Sequence, residues 1–155
     1  MGLLLAGVLA LVVGGAYLNM LTNEKAAFGS APAGDMSLKF PGIGSFVAGV
    51  LLLLISVMHF MTKRMRTDAL LTLVVVGCAI VLFVSAYYIQ TFLNQNPGFV
   101  GQLDSIIQSM ERFPQNATIV QMLKAQRIVF ANGMGLTISS GVIALLSVGA
   151  RHLLK

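Results

Sequence analysis

Four long apolar segments constrain this chain more than any other feature of its sequence. They run over about residues 3–20, 43–62, 69–93 and 128–150. A helix of about 20 apolar residues crosses a hydrocarbon core about 30 Å thick, and it satisfies its own backbone hydrogen bonds, as lipid requires. Strands of a membrane β-barrel would alternate polar and apolar residues, and these segments do not. We therefore predict an all-α, polytopic membrane protein in which residues 1–155 form a single membrane domain with four transmembrane helices.

Composition and charge exclude several other classes of protein. Charged residues make up 10% of the chain, against about 25% in soluble domains. The apolar residues occur in runs, which argues against an ordinary soluble enzyme and against a disordered protein. The single cysteine, Cys78, cannot form an internal disulfide. The net charge of +5 is spread too widely for a nucleic-acid surface, so no nucleic-acid partner is expected.

The first apolar segment raises the alternative of a cleaved signal peptide. No lysine or arginine precedes it, which is unlike the usual charged start of a signal. The small residues Ala31-Pro32-Ala33 lie beyond a charged stretch, far from the apolar run. We keep the segment as a membrane span and leave cleavage as the alternative.

The distribution of lysine and arginine predicts the orientation in the membrane. Residues 63–68 hold three cations, and the C-terminal residues 151–155 hold two more. Short loops rich in lysine and arginine stay in the cytoplasm. We therefore place both termini and residues 63–68 in the cytoplasm, and residues 21–42 and 94–127 outside. The predicted location is the bacterial inner membrane.

The two outer loops differ, and the second is predicted to be structured. Residues 21–42 mix glycine, alanine, serine and proline and are predicted to be irregular. In residues 97–127, apolar side chains recur three or four apart until Pro114, and Asn116 can cap a second helix that continues into the fourth span. The sequence thus predicts a helical extracytoplasmic hairpin between spans three and four.

The apolar stripe of that hairpin is predicted to dock on a partner. A helix that binds a membrane surface carries several cations on its polar face, whereas this one carries Arg112 against two acidic residues. A groove on a partner protein is therefore favoured over the membrane surface. The predicted docking residues are Val100, Leu103, Ile106, Ile107, Met110 and Phe113.

Small residues four apart mark candidate packing faces on the first and fourth spans. Small side chains let helix backbones approach closely, which drives association inside lipid. Two interpretations stay open: these faces pack the four spans together, or at least one faces another subunit. The predicted helix-packing residues are Gly2, Ala6, Ala10 and Gly14 in the first span and Gly133, Thr137, Gly141 and Gly149 in the fourth.

Residues suited to catalysis or metal binding are scarce. No span has an Asp, Glu, Lys or Arg in its interior, and proton-coupled transporters usually rely on such residues. We expect no catalytic residues, no metal site and no cofactor. His59 and His152 are the weak candidates for a cofactor, because two histidines at similar depth could bind haem iron axially. The simpler interpretation is that His59 contacts a neighbour or the headgroup region and His152 is solvated.

The sequence therefore suggests a non-enzymatic integral membrane subunit that packs against partner helices in a larger membrane complex, such as a secretion, respiratory or channel assembly. The expected partners are other integral membrane subunits or copies of the chain itself, within the lipid bilayer. A homo-oligomeric pore or small-solute channel is the alternative. It rests on a weak stripe of hydroxyls in the fourth span, formed by Thr137, Ser139, Ser140 and Ser147. A haem-bearing electron-transfer subunit is a lesser alternative.

Overall fold

In the computed structural model, the structure describes residues 1–27, 35–61 and 69–153, with side chains for 1–19, 39–59 and 69–150. The regular elements of these residues are all helical. They are α1 (Gly2–Ala27), α2 (Asp35–Met61), α3 (Ala69–Gln95), α4 (Phe99–Glu111), a short 3₁₀ helix (Pro114–Asn116) and α5 (Ala117–Leu153). Among the described residues, α1, α2, α3 and α5 are long and apolar enough to cross a membrane. This confirms the prediction of an all-helical chain with four membrane-length helices.

Helices α1 and α2 take up part of the segment that was predicted to be irregular. The structure extends α1 to Ala27 and starts α2 at Asp35. Helix α2 therefore continues through Pro41, although proline removes one backbone hydrogen bond from a helix interior. The proline ring is fully buried, which favours keeping this turn packed in the bundle. Residues 28–34, and the cation-rich segment 63–68, lie outside the described residues.

The four long helices form a bundle in which each packs against two others. Helix α1 packs against α2 and α5, and α3 packs against the same two helices. One buried cluster fills one end of the bundle around Leu52, Leu82 and Ala144. A second cluster, around Tyr17 and Phe130, continues from the bundle into α4. The core therefore joins the four long helices to the segment between α3 and α5.

Helix α5 is too long to lie wholly within a bilayer. Its 37 residues give a length of about 55 Å at 1.5 Å per residue, against a hydrocarbon core of about 30 Å. The strongly apolar part of α5 begins at Ile128, and the turns before it contain Lys124 and Arg127. Helix α4 packs against this N-terminal part of α5. We call residues 97–127 the end unit.

Helices α1 and α2 approach each other at glycines. A Cβ atom added to Gly49 would lie 2.8 Å from the Leu11 nitrogen and 3.0 Å from the Gly7 carbonyl oxygen. A Cβ atom added to Gly14 would collide with the Phe46 backbone and would lie 2.9 Å from the Gly42 oxygen. In each helix the two glycines are seven residues apart, which is about two helical turns and returns to the same face. The antiparallel pair therefore has two points of backbone contact, which any larger residue would force apart.

Candidate interaction surfaces

The small residues of α1 face other helices of the same chain. Ala6 and Ala10 are fully buried, and Gly14 is the point of backbone contact with α2. Gly2 lies at the start of α1, where a Cβ atom would meet the side chain of Ser147 on α5. These four predicted packing residues are therefore engaged inside the bundle.

The small residues of α5 divide between the bundle and its outside. A Cβ atom on Gly133 would lie 2.8 Å from the Tyr17 hydroxyl oxygen, and one on Gly141 would lie 3.0 Å from the Phe83 ring. Thr137 is buried and donates a hydrogen bond of 2.6 Å to the Gly133 carbonyl oxygen. A Cβ atom on Gly149, in contrast, would meet open space. The first three positions thus serve contacts within the chain, while Gly149 faces outward.

The hydroxyls considered for a pore are mostly bonded to helix backbone. Ser140 is buried and donates to the Ala6 carbonyl oxygen at 2.7 Å, and Ser147 donates to the Ile143 carbonyl oxygen at 2.7 Å. Thr137 likewise donates within its own helix, and Ser139 is exposed. Thr137, Ser140 and Ser147 therefore each donate the hydroxyl hydrogen to a backbone carbonyl oxygen.

The two histidines lie near helix ends. His59 is exposed in the last turn of α2. His152 belongs to the last turn of α5, where side chains lie outside the described part of the structure, so the proposed haem pair cannot be placed. Within the described residues, no three His, Cys, Asp or Glu side chains come together as a potential metal site.

Two ion pairs fix α4 to the start of α5. Arg127 donates from Nε and Nη2 to the two carboxylate oxygens of Asp104, at 2.6 and 3.0 Å. Lys124 lies 2.6 Å from a carboxylate oxygen of Glu111. A two-point guanidinium–carboxylate pair fixes orientation as well as distance. The hydrogen bond from Arg127, followed by its charge, holds the pKa of Asp104 below its ordinary value.

The centre of the α4 apolar stripe is covered by the chain itself. Leu103 and Ile107 are buried in the cluster that contains Val120 and Phe130 of α5. Met110 packs at the edge of that cluster. The remaining predicted docking residues are more open. Val100 and Ile106 are half-buried, and Phe113 is exposed.

Large apolar side chains remain exposed at the far end of the end unit. Phe113 is 55% exposed, Ile119 is 49% exposed and Met122 is 58% exposed. We call these three residues the tip patch. The helical spacing of Ile119 and Met122 places them on one face of α5. Both lie in the second helix predicted to follow Asn116, outside the residues predicted to dock.

A groove between α2 and α3 is a second apolar surface of the described residues, and the sequence analysis did not predict it. Its volume is about 600 Å³. Gly77 of α3 leaves space there, because a Cβ atom on it would meet nothing within 4 Å. Gly44 and Ala48 of α2 also line the groove, and their four-residue spacing was the signal available in the sequence. We call it the α2–α3 groove. Its lining residues are Lys39, Phe40, Ile43, Gly44, Val47, Ala48, Leu51, Val74, Gly77, Cys78 and Val81.

Comparison with known proteins adds no functional information for this chain. No family model, curated protein or solved structure matches it. The tip patch and the α2–α3 groove are therefore the surfaces from which a function is argued.

Proposed function

We propose that the chain is a non-enzymatic, multi-pass integral membrane subunit of a larger membrane complex, and that it docks on an extramembrane segment of a partner protein through the tip patch. The observation that carries the proposal is the exposure of Phe113, Ile119 and Met122 on a unit in which buried apolar contacts and two ion pairs join α4 to α5.

The charges of the end unit support a position outside the hydrocarbon core. Asp104, Glu111, Lys124 and Arg127 form two ion pairs with partly exposed side chains. Ionised side chains are costly in the bilayer centre and rare on surfaces that face lipid. The end unit then faces water or headgroups. There, burying the tip patch against a partner would contribute about 25 cal/mol of free energy for each Å² of apolar surface removed from water. An apolar patch on such a surface is typical of an interaction site.

The same ion pairs favour a protein over the membrane surface as the partner. Helices that lie on membranes use unpaired lysine and arginine to attract anionic headgroups. Lys124 and Arg127 are each engaged by a carboxylate, so their attraction for such headgroups is largely neutralised. The patch combines one aromatic residue with two aliphatic or thioether side chains. Phenylalanine and methionine are both enriched at protein–protein interfaces relative to the rest of the surface.

The rigid end unit also lowers the cost of binding. Leu103 and Ile107 anchor α4 in the core, and the ion pair between Arg127 and Asp104 fixes its orientation. A surface that is ordered before binding loses less conformational entropy when a partner docks. The predicted stripe thus holds the tip patch in place, and the tip patch makes the contact.

A charge placed on the tip patch tests the proposal. Ile119→Asp and Met122→Glu each introduce a carboxylate at an exposed position, so folding should be retained. Gln121→Glu is the matched control, because it adds the same charge on another exposed face of the same helix. The complex is purified in mild detergent and its native mass is measured.

We expect the two patch variants to lose the partner protein and the control to keep it. A central interface residue that contributes about 2 kcal/mol corresponds to an affinity loss of roughly 30-fold. Equal recovery of partner with all three variants would remove the tip patch from the interface. A ring of identical chains without other proteins would instead favour the pore.

A further inference from the structure

We propose that the α2–α3 groove binds one acyl chain of an anionic phospholipid, with the Lys39 ammonium group contacting the headgroup phosphate. This site is separate from the tip patch and does not depend on the partner that the tip patch binds.

The shape of the groove suits a narrow, flexible chain. Gly77 leaves space in the groove, because a Cβ atom added to it would meet nothing within 4 Å, whereas at Gly44 the two helices are close and a Cβ atom would lie 3.1 Å from the Val81 side chain. The surrounding surface is apolar except at Lys39. In a bilayer this volume of about 600 Å³ cannot stay empty, because unfilled space forfeits contacts on every side.

The length of the groove favours a lipid tail over a transmembrane helix. Lys39 and Leu51 are twelve residues apart on α2, which corresponds to about 18 Å at 1.5 Å per residue. One leaflet of the hydrocarbon core is about 15 Å deep, half of the full thickness of about 30 Å. A spanning helix would need a contact surface through both leaflets, whereas an acyl chain occupies only one. The groove therefore matches the reach of a single tail.

The position of Lys39 gives the site a preference for headgroup charge. Lys39 is exposed and lines one end of the groove, while Leu51 and Val74 line it further along the helices. A long lysine side chain can keep its charge at the interface while its stem lies on apolar surface. A lysine near the membrane surface contributes about 1 kcal/mol to the binding of an anionic lipid, which raises the association constant roughly fivefold. The lipid that fits best therefore carries a net negative headgroup.

Fluorescence quenching by brominated lipids tests this assignment. The chain has no tryptophan, so Leu51→Trp introduces a single tryptophan into the groove, and its fluorescence can be excited selectively over that of the three tyrosines. Val142→Trp is the control, because this residue is exposed on α5 and does not line the groove. Both variants are reconstituted into phosphatidylcholine vesicles. The vesicles contain the same fraction of either brominated phosphatidylglycerol or brominated phosphatidylcholine.

At position 51 we expect brominated phosphatidylglycerol to associate roughly five times more strongly than brominated phosphatidylcholine. Lys39→Gln should reduce this ratio to about that of the control. Equal quenching by the two lipids at position 51 would overturn the headgroup preference. Protection of position 51 from both lipids would show that protein covers the groove, which would also refute the proposal.

A second pair of variants tests the groove without changing charge. Gly77→Leu places a side chain in the groove, whereas Gly135→Leu places the same side chain at another open position on α5. In the Leu51→Trp background, Gly77→Leu should abolish the preference for phosphatidylglycerol and Gly135→Leu should retain it. Unchanged preference with Gly77→Leu would contradict the site. Partner recovery through the tip patch should be the same for both, so the two proposals can fail separately.

Discussion

The glycine contact between α1 and α2 predicts opposite effects for the same substitution at two neighbouring positions. A Cβ atom at Gly14 would collide with the backbone nitrogen and Cα of Phe46, whereas a Cβ atom at Gly15 would meet nothing within 4 Å. The obstructing atoms belong to a helix backbone, so no side-chain rotation can relieve the collision. Gly14→Ala must therefore move α1 away from α2, while Gly15→Ala leaves the packing unchanged.

The size of the effect follows from two opposing terms. Overpacking a well-packed site costs about 1–3 kcal/mol, and backbone obstruction at Gly14 places this substitution near the upper end. Replacing glycine by alanine in a helix contributes about 1 kcal/mol of stabilisation. Gly14→Ala should therefore lower the free energy of unfolding by about 2 kcal/mol. Gly15→Ala should leave it unchanged or raise it by up to about 1 kcal/mol.

The free energy of unfolding of both variants and of the unaltered chain is measured by reversible unfolding in mixed detergent micelles, with circular dichroism as the signal. Gly49→Ala gives a second reading of the same contact from the α2 side, because its Cβ atom would lie 2.8 Å from the Leu11 nitrogen. Equal stability of the Gly14→Ala and Gly15→Ala proteins would refute the close approach of the two backbones.

Hydropathy alone was enough to predict the four long helices, although not their ends in the segment between α1 and α2. Each long apolar run must close its own hydrogen bonds in lipid, so length and polarity determine the element. The break between α4 and α5 was predictable too, because Pro114 interrupts the apolar period. The start of α2 was harder to predict, since Pro41 normally marks a helix boundary. Only the burial of its ring shows why the helix continues.

The partner of each apolar or small face could not be read from the sequence. The period of Leu103 and Ile107 shows that one side of α4 is covered, but the same pattern fits a partner groove or α5. The contact of Gly7 with Gly49 depends on two helices at once. A seven-residue spacing shared by α1 and α2 was the signal available, and it becomes informative only when the two helices are paired.

Two further predictions concern α5 and the end unit. Gly141→Leu should destabilise the folded chain by about 1–3 kcal/mol, because a Cβ atom there would lie 3.0 Å from the Phe83 ring. Val142→Leu changes an exposed position and should leave the stability unchanged. Equal free energies of unfolding for the two variants would contradict the contact between Gly141 and Phe83. The ion pair of Asp104 with Arg127 predicts a dependence on pH. Its hydrogen bond lowers the pKa of Asp104, so the folded form binds this proton less readily than the unfolded form. The stabilisation from this pair is complete at neutral pH. It begins to be lost as the pH falls below about 4, the ordinary pKa of an aspartate, and is gone once the pH has fallen through the lowered pKa of Asp104. The α4 amides should therefore exchange faster in acid relative to the intrinsic rate at the same pH, so that their protection factors fall. Asp104→Asn should show that faster exchange already at neutral pH, and α4 protection that is unchanged by the substitution would show that the apolar contacts alone hold the helix.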